Sequence, residues 1–147
     1  MSDLLCFSAF NRLYGIPLDY VIETFEEQKV TPVPCLHYAF TGLCSHNGMI
    51  YPVISFSHLC EREIPLTRKC MILVELEQDQ FILQMNDVPT VIYEDEITVR
   101  TKYQKNDRLL KVDELCQSKY GIVYVVDIKN IIHDLSRELL DDRYVQD

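Results

Sequence analysis

Apolar residues in this chain recur mainly in short runs of five to eight, and only one stretch shows sustained helical spacing. That pattern demands strands. Leu5 to Phe10 and Leu13 to Leu18 flank Asn11-Arg12, which predicts a hairpin. Met49 to Phe56 is a third strand, and Pro52 within it lacks a ladder donor, which predicts an edge or a bulge. Cys70 to Leu76 and Phe81 to Met85 flank the polar tip Glu77 to Gln80 as a second hairpin. Asp87 to Tyr93 is expected to extend that same sheet, with Pro89 at an edge or kink. Glu94 to Asp107 is polar and is expected to be a loop or irregular strand, and Gly121 to Val126 is the last strand.

The exception lies at the C-terminal end. Ile128, Ile131, Ile132, Leu135, Leu139 and Leu140 fall at the three-four spacing of one helix face. Asp127 is placed to cap it, because a carboxylate there satisfies free backbone N–H groups at the positive end of the dipole. A single helical turn is expected near Ser57 to Arg62. Two hairpin clusters separated by the short charged segment Glu61 to Lys69 predict two small barrels. That segment is too short to make the halves independent, so residues 1–147 are expected to be one domain of two subdomains meeting near 61–69.

Charge narrows the function. Twenty-three acids against 14 Lys plus Arg leave a net charge of −9. Phosphate binding needs clustered cations, so neither nucleic acid nor an anionic membrane surface is an expected partner. No apolar run approaches the roughly 20 residues needed to span a bilayer, so no membrane insertion is expected. Met1-Ser2-Asp3-Leu4-Leu5 lacks the basic start of a signal peptide, so a cytoplasmic location is expected.

The cysteines raise a metal question. There are six, without a Cys-x-x-Cys, and three fall in one-gap pairs: Cys35-x-His37, Cys44-x-His46 and His58-x-Cys60. On a strand, such a pair shares a face and two pairs could complete a zinc tetrahedron. Zinc sites typically use tighter ligand pairs around turns, so these cysteines are better explained as small buried hydrophobes and no metal or other cofactor is expected. No nucleophile elbow, phosphate-cradling loop or metalloprotease motif is present, and His133 falls beside the apolar helix stripe rather than in a catalytic pattern. An enzyme is not expected.

A collinear set of landmarks points further. Tyr14-Gly15-Ile16-Pro17-Leu18 leads to Val21-Ile22-Glu23, then Val30-Thr31-Pro32-Val33-Pro34, Tyr38-Ala39-Phe40-Thr41-Gly42-Leu43, and Asn47-Gly48-Met49-Ile50-Tyr51-Pro52-Val53-Ile54. Asn86-Asp87-Val88 and Val123 to Ile128 continue the order. Together these resemble the CheW family, the adaptors that tie bacterial chemoreceptors to their histidine kinase. The resemblance implies a mostly β fold of two intertwined SH3-like five-stranded barrels sharing a core, with a C-terminal α-helix. It implies a groove for the chemoreceptor cytoplasmic tip at Val21, Glu23, Asn47 and Cys70. It implies a kinase regulatory domain contact at Thr41, Ile50 and Tyr103. In this groove, apolar anchors would supply affinity and polar groups would set register.

Three positions depart from the family pattern. Asn47 stands where an arginine is usual, and Ser55 and Asn86 stand where acids are usual. Asn can hydrogen-bond but cannot form the charged pair, which bears on receptor binding more than on fold. The readings are therefore a receptor–kinase adaptor first, the same scaffold with a changed partner second, and a metal-binding or redox-sensing protein third.

Overall fold

The computed structural model describes residues 3–26, 28–33, 39–62, 70–106 and 109–135. Among the described residues eleven strands run in the order β1 (Leu4–Ala9), β2 (Arg12–Pro17), β3 (Val21–Glu26), β4 (Phe40–His46), β5 (Met49–Ser55), β6 (Cys70–Leu76), β7 (Asp79–Met85), β8 (Thr90–Ile92), β9 (Ile97–Asn106), β10 (Lys111–Ser118) and β11 (Gly121–Val126). A single helical turn, α1 (Phe56–Leu59), follows β5. Residues 128–135 form a second helix, α2.

The strands form two sheets, ordered β8-β1-β2-β11-β10-β9 and β3-β6-β7-β5-β4, consistent with a pair of SH3-like barrels. The first sheet has six strands rather than five, because the three-residue β8 adds to β1 through Leu4↔Ile92 and Cys6↔Thr90. The chain crosses between sheets after β2, through a 3-10 turn at Leu18–Tyr20, and again between β7 and β8. The strands on either side of 61–69, β5 and β6, belong to one sheet. The two hairpin clusters therefore do not correspond to two separate sheets: β1 and β2 are completed by strands from the far end of the chain.

Three apolar clusters explain the unbroken hydrophobic runs. Leu4 and Cys6 point into the first barrel with Cys116, Val123 and Val125, while Leu5 and Phe7 point the other way. Met71, Leu73 and Ile82 fill the second barrel with Val53, whereas Ile72, Val74, Leu83 and Met85 turn outward. Both outward faces meet in a shared core. A strand buried on both faces has no polar alternation to show, which is why Leu4 to Phe7 and Met71 to Val74 read as continuous runs. Ile128, Ile131, Ile132 and Leu135 of α2 press into this shared core.

Asp127 caps α2 as expected: its Oδ1 accepts from the Asn130 amide at 3.2 Å, and its carbonyl accepts the first helical bond from Ile131 at 3.1 Å. Leu139 and Leu140 lie outside the described residues. His133 is exposed, as its place beside the apolar stripe implied.

Three strand expectations shift. The first hairpin turns at Phe10-Asn11, both with positive φ, and Arg12 pairs with Ala9 inside the ladder. The second turns at Glu77-Gln78, tighter than the four-residue tip. The segment from Asp87 does not extend the second sheet; β8 is the edge of the first, with Pro89 just before it. The polar stretch from Glu94, expected as a loop or irregular strand, is mostly the ten-residue strand β9, whose pairing with β10 carries register shifts. It too is an edge strand, with Thr98, Val99, Thr101 and Lys102 exposed, so an apolar pattern is not required of it.

Pro52 sits in an interior strand rather than at an edge. Ser55 donates to the Ala39 carbonyl on the β4 side at 3.2 Å, so by the two-residue period the Pro52 nitrogen faces β7. The ladder to β7 begins only at Val53↔Ile82, so no bond is lost. A bulge lies opposite, where Phe40 and Gly42 pair with Ile54 and Val53 and leave Thr41 as the extra residue.

Candidate partner-binding surfaces

The second sheet closes on itself at its edges, and two of the four expected groove residues, Glu23 and Asn47, meet at that seam. The segment after β3 returns to β4 through a two-way backbone bridge, Thr31 N to Leu43 O at 2.8 Å and Leu43 N to Thr31 O at 2.9 Å. Gly42 makes this approach possible, since a Cβ there would collide with the Thr31 carbonyl. Further along, side chains close the seam. The His46 imidazole lies flat on Phe25, with centroids 3.9 Å apart and planes at 8°. Its Nδ1 is 3.3 Å from Gln28 Oε1 and its Nε2 is 3.1 Å from Glu23 Oε2.

Asn47 follows on a tight turn. With φ of 50° at Asn47 and 81° at Gly48, and His46 paired to Met49, the β4–β5 hairpin uses the Asn-Gly turn whose twist suits antiparallel strands. Asparagine is among the few residues that take this left-handed conformation readily, so the residue in place of the family arginine answers to the backbone. Its amide lies 3.3 Å from His46 Nε2. Glu23 and Asn47 are thus brought together through His46.

Val21 and Cys70 mark the two ends of the β3–β6 ladder, paired with Val74 and Glu26. Both are half-buried, and about 3.3 Å of rise per residue separates them by roughly 16 Å. Ile22 forms a bulge between Val21 and Glu23 and is 52% exposed.

The second set divides between sheets. Ile50 is 68% exposed beside Met49 at the tip of the β4–β5 hairpin. Thr41, at the bulge on β4, donates its hydroxyl to the Val53 carbonyl at 3.4 Å. Tyr103 lies on β9 of the other sheet, half-buried, with its ring edge-on to Tyr124 at 6.5 Å; Arg12 covers Tyr124 at 4.8 Å. The remaining departure in this half, Ser55, is buried and hydrogen-bonds the Ser57 hydroxyl at 2.8 Å, where an acid would be an uncompensated buried charge.

Sequence reasoning misses Phe25 and Gln28 and finds His46 only as the partner of Cys44, because two-residue spacing shares a face; the face is shared, and both side chains approach Gln28 Oε1. The neighbour across the seam, Glu23, lies beyond any local pattern. Cys35 and His37 lie outside the described residues. His58 is on α1 and Cys60 is its C-cap, so the strand logic fails for that pair. Among the described residues no group of three His, Cys, Asp or Glu could hold a metal ion. Burial pushes the Cys6 and Cys116 thiols up to about 12, the reverse of what a redox-reactive cysteine requires.

No helix among the described residues is long and apolar enough to cross a membrane. A sequence model of the CheW-like domain matches residues 3–136. No curated protein sequence matches the chain. The fold is similar to that of the scaffolding protein TtCheW from Thermoanaerobacter tengcongensis, with a TM-score of 0.73 at 20% identity over 86% of this chain and 89% of the other.

Proposed function

This chain belongs to the CheW-like family, and on that premise we propose that it is a non-catalytic cytoplasmic adaptor coupling a chemoreceptor tip to the regulatory domain of a chemotaxis histidine kinase. The observation that carries the kinase contact is the Met49–Ile50 pair, 56% and 68% exposed beside the two-residue turn of the β4–β5 hairpin. Large apolar side chains held at a fixed tip supply contact area with little ordering cost on binding. Thr41 shares that hairpin. Tyr103, on the other sheet, contributes only if the partner spans both barrels.

The test is titration of the purified kinase regulatory domain by calorimetry. Ile50→Glu places a charge on the contact and is expected to weaken binding at least about tenfold, the scale of a hot-spot loss. Because Ile50 is exposed, the thermal midpoint should hold. Absence of a complex with the wild-type chain would overturn the kinase arm.

A changed-partner scaffold is the second reading, and one observation favours it: Asn47 sits in a turn conformation hostile to arginine. A receptor cytoplasmic fragment that fails to bind while the kinase domain binds would select this reading. If the receptor does bind, the missing arginine predicts weak dependence on salt.

A further inference from the structure

Glu23 is the one expected groove residue whose charged group has a side-chain partner across the barrel seam. We propose that His46 is a positioning residue for receptor recognition, holding the Glu23 carboxylate in one orientation so that a helical tip meets a fixed acceptor. This rests on the receptor arm of the function proposed above and assigns a residue that arm did not include.

The geometry leaves His46 little freedom. Its side chain is 6% exposed, its ring lies on Phe25, and both ring nitrogens face polar partners. An ionised carboxylate only accepts, so a hydrogen bond between Nε2 and Glu23 Oε2, 3.1 Å apart, requires the tautomer with a proton on Nε2. The Asn47 Nδ2 also lies 3.3 Å from that nitrogen. Glu23 itself is 41% exposed. One carboxylate is therefore anchored from below by a buried ring while its outer side faces solvent.

An apolar pair would close the β3–β4 seam equally well, since Phe25, Cys44 and the Thr31–Leu43 bridge already line it. The His–Glu bond adds something closure does not need. A glutamate on an edge strand samples several rotamers and must surrender them when a partner binds, whereas an anchored one has already done so. The partner chemistry follows: the receptor tip presents a hydrogen-bond donor, a cationic or amide group, to Glu23 rather than a carboxylate.

The experiment is a double-mutant cycle on affinity for a receptor cytoplasmic fragment, using the full chain. His46→Phe keeps a ring against Phe25 but removes the donor, and is expected to weaken binding about three- to tenfold, the scale of one newly mobile side chain. In a Glu23→Ala background, which removes the acceptor, the same change should have little further effect. His46→Gln, which retains a donor, should recover part of the loss. Kinase-domain affinity, measured in parallel, should stay at the wild-type value throughout and so report on folding. Equal weakening by His46→Phe with and without Glu23, or none at all, would overturn the proposal. A wild-type chain that binds no receptor fragment would instead overturn the receptor arm, and this inference with it.

Discussion

At the scale of single residues, Asn47 shows how a backbone requirement and a binding requirement compete for one position. Asn47→Arg would install the residue usual in the family but force a long side chain into the left-handed region, at a cost of about 1 kcal/mol. Asn47→Gly should change stability by only a few tenths of that, and urea unfolding of the two variants checks both. Any receptor affinity gained by the arginine would then come with a measurable loss in midpoint. Cys6 and Cys116 make a second residue-scale prediction. Their thiols are raised from 9.0 to about 12 by burial, so in the folded chain they stay protonated where unfolded thiols ionise. The native state then binds more protons than the unfolded state above about pH 9, so their stabilisation is full below that pH and falls as pH rises toward about 12. Denaturation midpoints at pH 8 and 10 should differ, and Cys6→Ala combined with Cys116→Ala should reduce the difference.

At the scale of elements, α2 makes the most direct test of the core. Leu135 is 3% exposed in the shared cluster, so Leu135→Asp buries a carboxylate without a partner and should cost several kcal/mol. Asp127→Ala removes the cap and should cost about 1 kcal/mol. Both are read from chemical denaturation. That helix was legible because an amphipathic face and a cap are local signals. So were β1, β2, β5, β6, β7 and β11, whose apolar runs stand out against polar turns. β10 was not legible: in Lys111 to Ser118 only Val112 and Cys116 are fully buried, too sparse for a period. The edge strands β3 and β4 were missed as strands although their residues served as landmarks. Their pairing partners lie at Leu73 and across the Asn47-Gly48 turn. The candidate site divides along the same line between local and distant signals. Glu23, Asn47, Ile50 and Thr41 came from family resemblance, while His46 needed the barrel to close before its neighbour could be known.

At the scale of the molecule, the exchange of strands between sheets predicts how stability is distributed. Neither sheet can be completed from one side of residue 62: the first needs β1 and β2 with β8 to β11, and the second needs β3 to β5 with β6 and β7. We therefore expect one cooperative unfolding transition, with fluorescence and circular dichroism coincident. A fragment ending at residue 62 should remain unfolded alone, and a folded fragment would show that the shared core is dispensable to it.

The parallel pairing of β2 with β11 also sets a clock. Leu13 meets Val123, 110 positions later in the chain. At about 5–20 residues per second of synthesis, β2 waits roughly 5–20 s for the neighbour that covers its open side. During that wait a nascent β1–β2 hairpin exposes unpaired backbone along an apolar strand, which is a template for another chain. The newborn polypeptide is thus most vulnerable to aggregation while still attached to the ribosome, and yield in cells should respond to translation speed and to chaperone supply more than the finished protein's stability alone would suggest.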